Sequence, residues 1–514
     1  MDKNKLLKAV KEATNVTRTE NGAVTHKSTL DGLYDLFALG AAYRVRNDED
    51  CIVLFEKAYK EDPTYALKCL FYLRDVRGGQ GERRFFRVVI NWLAKNYTDT
   101  MERNLKYVPE FGRWDDLYSF LDTPLEKAAL DRMAIQFMLD LRSKTPSLLG
   151  KWLKSENASS AKSKEIATKT RKHFGLTPRE YRKALTLLRS RINVVERLMS
   201  AGRWEEIEFD KIPSRAGLIY RNAFARHDVE RMRRDAMTYK EFMEREDTKV
   251  NAKALYPYEV VAKATEYSDI NSWWLRSSPK KDPTERAAIN KYWDNLTDYF
   301  KNASLDALCM IDTSGSMWGM EASAPINVAI SIGLYAAERA RGPFAGHYIS
   351  FSSQPQLIET VGVDFVDKVE RIYRTNLCSN TNIEAAFDML LNTALRAHCK
   401  QKDLPQSIII VSDMEFDEAR GRRSYYGHQI PDDTETLMEG ISKKWERAGY
   451  KMPNLIFWNV QARQNNIPMV TRNGITFCSG FSPVLFEQII QGKTGYDLMM
   501  DKLNSARYEC IRVF

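Results

Sequence analysis

The chain has 514 residues and a formal net charge of +9, with 44% hydrophobic, 11% aromatic and 28% charged residues. This composition excludes a disordered, fibrous or disulfide-scaffolded chain and predicts folded domains, roughly three by length or one long repeat array plus one compact domain. The seven cysteines, Cys51, Cys69, Cys309, Cys378, Cys399, Cys478 and Cys510, lack CxxC spacing, so buried reduced thiols are expected rather than disulfides or a zinc site.

The opening MDKNKLLKAVKEATNVTRTENG carries early charge but neither an apolar core nor a small-residue cleavage site. No later stretch approaches the ~18 uncharged apolar residues of a membrane span. The expectation is a cytoplasmic protein without a membrane partner. Up to about Phe300, apolar residues recur three and four apart, as in Leu33 to Arg44, Val53 to Tyr59 and Phe85 to Lys95. That spacing predicts helices, and strand signals are nearly absent there. The sharpest motif of this half is Arg74-Asp75-Val76-Arg77-Gly78-Gly79-Gln80-Gly81-Glu82-Arg83-Arg84-Phe85-Phe86-Arg87. It matches neither a P-loop nor a Rossmann fingerprint. Two readings stay open: a loop whose amides accept a phosphate, helped by Arg74, Arg77, Arg83, Arg84 and Arg87, or a tight helix–helix turn with a solvated basic face.

The pentapeptides GlyArgTrpAspAsp at 112–116 and GlyArgTrpGluGlu at 202–206 point to a repeated helical unit, and HEAT-like stacked helix pairs would account for it. Between Lys151 and Ser200, 13 basic residues stand against four acidic ones, so this stretch holds the whole basic excess. The basic residues are Lys151, Lys154, Lys162, Lys164, Lys169, Arg171, Lys172, Arg179, Arg182, Lys183, Arg189, Arg191 and Arg197. With Trp152, Phe174 and Tyr181 interleaved, the stretch has the footprint of a surface for nucleic-acid phosphates and unstacked bases. The RNA-binding candidates here are Lys151, Lys154, Lys172, Arg179, Arg182, Lys183 and Arg189. Glu156 to Thr170 reads as a mobile loop. After it, Thr177-Pro178-Arg179-Glu180 has the cap, Pro and Glu of a helix start. Tyr181, Leu185, Leu188, Ile192, Val195 and Leu198 then form one apolar face.

From Ser304 the pattern changes. Leu305 to Ile311 is a buried-strand run, a helix follows from about Ala324 to Arg341, and further strands are predicted at Tyr348 to Ser352, Ser407 to Val411 and Asn454 to Val460. Alternating strands and helices predict a parallel sheet covered on both faces. The overall class is therefore α + α/β, with a helical part at 1–300, a doubly wound part at 301–514 and a boundary between Lys280 and Ser304. A fragment starting near Asn302 is expected to fold alone unless it depends on closure by the first part.

The first strand ends in Asp312-Thr313-Ser314-Gly315-Ser316, a DxSxS motif placed where open α/β sheets bind ligands. Thr381 opens a helix, and Asp413 ends the strand Ile408 to Ser412. Carboxylate and hydroxyl oxygens of this kind suit Mg²⁺, Mn²⁺ or Ca²⁺. In this order and setting the chain from about Ser304 to Phe514 resembles a von Willebrand factor A domain with a complete metal-ion-dependent adhesion site. The resemblance implies that Ser314, Ser316 and Thr381 supply hydroxyls and that Asp312 and Asp413 act directly or through water. It leaves one position for water or for the carboxylate of a protein partner.

A helical-repeat part joined to such a domain, at 59.4 kDa, resembles the TROVE or Ro family of RNA-binding proteins. The RGGQGERR and GRWDD segments look more like a related group with the same two-part layout. The Ro resemblance implies a helical ring closed through the von Willebrand A domain and binding of single-stranded RNA ends and small structured RNAs. The expected function is a non-enzymatic, Ro-like ribonucleoprotein component, and the alternative is a metal-dependent adaptor, for example for an ATPase assembly, without RNA. A hydrolase would need a poised base or a second metal. Glu415 and Asp417, the only candidates, read as solvated loop acids, and His26, His173, His227, His347, His398 and His428 stand alone without metal-ligand spacing.

Overall fold

The computed structural model describes residues 10–12, 14–192, 194–266, 281–300, 306–319, 321–351, 354–375, 380–418, 435–470, 474–489 and 494–513. Cys378, His428, Ser304, Leu305 and Ser352 lie outside them. Helices dominate the chain up to Asp294, and from Ala307 strands alternate with helices, so the architecture is α followed by α/β. No described helix is long and apolar enough to cross a membrane. The chain forms two compact units, residues 1–62 with 255–504 and residues 63–254 with 505–514.

The first unit opens with a short hairpin, β1 Val16–Arg18 and β2 Val24–His26, that the helical periodicity did not announce. Its main sheet has six strands: β3 Ala307–Asp312, β4 His347–Phe351, β5 Gln356–Glu359, β6 Ser407–Ser412, β7 Asn454–Asn459 and β8 Ile475–Ser479. Their order is β5-β4-β3-β6-β7-β8, parallel except for β5, which runs antiparallel to β4. Runs such as Leu308 to Ile311 and Ile408 to Val411 are buried throughout because parallel strands of this kind are covered on both faces. The helix Pro325–Arg339 is correspondingly apolar nearly all round and buried from Pro325 to Ala337.

Residues before the sheet supply part of that cover. The helix Gly32–Leu39 is wholly buried, and Tyr34 Oη accepts a bond from the Phe477 amide of β8 at 2.8 Å. Ala462 N donates to Ala42 O at 3.0 Å, and the Arg44 guanidinium lies 3.6 Å from the Phe481 ring centre. Trp293 stacks on Phe365 at 4.1 Å. A division at residue 300 therefore runs through this unit, and a fragment beginning near Asn302 lacks the cover contributed by residues 16–62 and 257–294.

The second unit is helical, with Pro63–Arg74, Arg84–Asn96, Glu126–Arg142, Ala161–His173, Pro178–Arg191 and Ser214–Arg226 as its longer helices. Phe71 meets Phe86 and Phe111 edge-on at 5.3 and 5.4 Å, and Tyr508 stacks on Phe111 at 5.6 Å. The segment expected as a loop over Glu156 to Thr170 is instead largely the helix Ala161–His173. Its Ala and Lys content favours helix, Ser160 caps it, and Ala167 and Thr170 anchor it in the core. The start at Thr177 has the expected capping box with Glu180 and Pro178 at the first turn. Both GlyArgTrp segments begin a 3₁₀ turn at their tryptophan, Trp114–Phe120 and Trp204–Glu206, each with its arginine paired to a following acid.

Candidate metal centre and basic helices

The chain enters the sheet at β3, moves to β4 on one side and returns to β6 on the other. The carboxyl ends of β3 and β6 thus flank the switch point, the position at which open α/β sheets take ligands. Asp312 ends β3 and Asp413 follows β6, and both are buried. Asp312 Oδ1 accepts from Ser314 N at 2.9 Å, and its Oδ2 accepts from the Ser412 hydroxyl at 2.5 Å. Ser314 Oγ and Ser316 Oγ lie 3.2 Å apart, and Ser316 also hydrogen-bonds Asp413. Thr381 is buried, and its carbonyl accepts from Asp417 N at 3.1 Å, which ties the start of the helix Ile383–Arg396 to the loop after β6. Met414, buried with φ +65°, bends that loop sharply.

The electrostatics favour a cation. Burial, followed by the neighbouring Asp413, raises the Asp312 carboxyl above the ordinary range. Burial likewise raises Asp413, against opposing hydrogen bonds and the charge of Arg463. Asp312, Asp413, Ser314 and Ser316 are neighbours in these contacts, and carboxylate and hydroxyl oxygens are hard donors of the kind that suit Mg²⁺, Mn²⁺ or Ca²⁺. Among the described residues no group of three or more His, Cys, Asp or Glu has metal-binding geometry. A cleft of about 670 Å³, lined by residues that include Asn290, Trp293, Glu338 and Lys368, contains none of the residues of this centre.

Glu415 is not a solvated loop acid. It is fully buried, accepts from Glu20 N at 2.7 Å and Asn466 Nδ2 at 2.8 Å, and burial with the nearby Asp413 pushes its carboxyl up to about 7. Of the histidines, His173 meets Asp131 at 2.7 Å and His227 meets Glu230 at 3.0 Å, both structural contacts.

The Arg74 to Arg87 motif is a turn in which most amides are already occupied. Gln80 N, Glu82 N and Gly81 N donate to Tyr72 O, Leu73 O and Asp75 O at 3.2, 2.7 and 3.1 Å, and Arg77 N donates to Asp75 Oδ1 at 3.0 Å. A Cβ on Gly79 would lie 2.0 Å from Tyr72 O, so the close backbone approach requires glycine. Arg74 is 2% exposed and bound to Asp116 at 2.7 Å, while Arg87 bridges Asp115 and Asp116 at 2.9 and 2.6 Å. Arg74 and Arg87 therefore serve the core. Arg77 donates to Glu110 O from an exposed position, Arg83 is exposed, and Arg84 is half-buried at the start of its helix.

The Lys151 to Ser200 stretch divides in the same way. Arg189 donates to Gly150 O and Leu153 O, both at 3.0 Å, Arg171 pairs with Glu156, and Arg191 binds Leu141 O. Lys151 and Lys154 are half-buried. Lys162, Lys164, Lys172, Arg179, Arg182 and Lys183 are exposed on the helices Ala161–His173 and Pro178–Arg191, with no ion pair among the described residues. The interleaved aromatics are not free platforms for bases. Tyr181 is buried, Phe174 packs on Phe137 at 4.9 Å, and Trp152 is covered by the Arg113 guanidinium at 3.9 Å.

The family model described as "Domain of unknown function (DUF2828)" matches residues 19–173 and 138–305. The chain belongs to the DUF2828 family. A second model, "Domain of unknown function (DUF7788)", matches 306–507 and includes the DxSxS motif. An uncharacterized protein of Acanthamoeba polyphaga mimivirus is 28% identical over 520 residues, which is 93% of this chain and 85% of that protein. Among solved structures, the Deinococcus radiodurans Ro (RSR) protein aligns over 93% of this chain and 99% of its own, with 15% identity and a TM-score of 0.35.

In this DUF2828 protein the sequence signals missed Ser412, Glu20, Arg463 and Asn466 around the candidate centre. Ser412 was readable from its place before Asp413 at the strand end. Glu20, Arg463 and Asn466 carry no local pattern, and only the tertiary fold brings them to the loop after β6.

Proposed function

We propose that this is a non-enzymatic RNA-binding protein that grips phosphates through the helices Ala161–His173 and Pro178–Arg191, with a second, divalent-metal-dependent binding site at the carboxyl ends of β3 and β6. The observation that carries the RNA reading is the set of six exposed cations on two successive helices that have no ion-pair partner among the described residues, since a merely solvated face would balance its charges. Because the nearby aromatics are packed away, the contact is to backbone phosphates and depends weakly on base identity. Glutamates at Lys172, Arg179, Arg182 and Lys183 should weaken single-stranded RNA binding far more than four equal reversals on the sheet unit. The slope of log affinity against log salt, roughly −0.7 per phosphate contacted, should flatten as well. Unchanged affinity and slope would overturn the RNA reading.

The second reading rests on the convergence of hard oxygens. Asp312, Ser314, Ser316, Thr381 and Asp413 would hold Mg²⁺ or a similar ion, which when bound supplies positive charge for an acidic oxygen of a protein partner. Asp312→Ala should abolish calorimetric Mg²⁺ binding with little loss of fold. Equal binding by variant and wild type would reject the site.

A further inference from the structure

Arg463 stands between two carboxylates. Its Nη2 lies 3.1 Å from Asp413 Oδ2 and its Nη1 lies 2.9 Å from Glu20 Oε2. Asp413 is buried, whereas Arg463 and Glu20 keep 30% and 39% of their side chains exposed. Glu20 sits in the turn between β1 and β2, and that turn is fastened to the loop after β6. Thr19 Oγ1 donates to Phe416 O at 2.7 Å, Asn21 Nδ2 donates to Glu415 O at 2.6 Å, and Gly22 bridges to Asp417.

We infer that Arg463 is the residue that sets metal affinity at this centre, locking Asp413 when no ion is bound and turning onto Glu20 when one binds. The inference rests on the metal reading above. A guanidinium stays protonated throughout the physiological range, so an ion that takes Asp413 Oδ2 competes with Arg463 for that oxygen. Glu20 lowers the cost of losing the Asp413 contact because it keeps its own charge-assisted bond to Arg463 Nη1. The N-terminal hairpin thereby becomes part of the metal site, even though it lies almost 400 residues away in sequence.

The test uses the full chain, Mn²⁺ alone as ligand, and titration calorimetry beside the melting temperature of the metal-free protein. Arg463→Gln should tighten Mn²⁺ binding roughly fivefold, the scale of a partly exposed ion pair, and lower the metal-free melting temperature. Glu20→Gln should weaken binding by a similar factor. The double variant should match Arg463→Gln, because Glu20 acts only through Arg463. If Arg463→Gln does not melt cooperatively, weakened binding by Glu20→Gln alone supports the inference and unchanged binding overturns it. Loss of binding in Asp312→Ala with no change in Arg463→Gln would leave the metal site standing and overturn this inference. Wild-type-like binding by Asp312→Ala, or no binding by any form, would overturn both.

Discussion

Asp75 is fully buried and accepts from Arg507 Nη2 at 2.6 Å and Tyr508 Oη at 3.0 Å, with further bonds from the amides of Arg77 and Gly78. Burial alone would raise its carboxyl, but these bonds outweigh burial and hold it below the usual range. A depressed carboxylate stabilises the fold above its unfolded value of about 3.9, and that stability is lost as pH falls through the lower folded value. Asp75→Asn should therefore destabilise the chain at neutral pH. The loss should lie at or below the ~3–5 kcal/mol of a fully buried broken pair, since Arg507 keeps 32% of its side chain exposed. In acid denaturation the gap between variant and wild type should begin to narrow near pH ~4 and close only below the depressed folded value. A gap that persisted there would show that the loss comes from packing and not from charge.

Between elements, one close joint beside the candidate centre is the helix Pro325–Arg339 on β3. A Cβ at Gly333 would sit 2.3 Å from Ile311 Cδ1, and Ile311 directly precedes Asp312. Gly333→Ala should cost about 1–3 kcal/mol as overpacking and weaken metal binding by shifting the end of β3. Chemical denaturation and calorimetry would measure the two effects, and a neutral variant would mean that the helix shifts freely. This joint also bears on what could be read in advance. Strands β3, β6 and β7 were legible because doubly covered strands are continuous apolar runs, and so was the placement of Asp312, Ser314, Ser316, Thr381 and Asp413 beside the ends of strands and helices. The strand β5, Gln356-Leu357-Ile358-Glu359, is an edge with mostly exposed side chains and carries no such run. The buried state of Glu415 was hidden because its donors come from Glu20 and Asn466, and the basic motif at Arg74 misled because charge density does not reveal which arginines meet Asp115 and Asp116.

At the scale of the molecule, both compact units are assembled from separated stretches of chain. A fragment of residues 302–514 should accordingly fail to give a cooperative melt and should bind a hydrophobic dye, whereas the intact chain melts cooperatively. A sharp melt by the fragment would mean that residues 16–62 and 257–294 only decorate a self-sufficient sheet. The same layout sets a clock on synthesis. Tyr34 waits for Phe477, 443 residues later, and at ~5–20 residues per second a ribosome needs roughly 20–90 s to deliver it. For that interval the helix Gly32–Leu39 lacks its partner on β8, and the apolar side chains that β8 will cover stand open to chaperones and to neighbouring nascent chains.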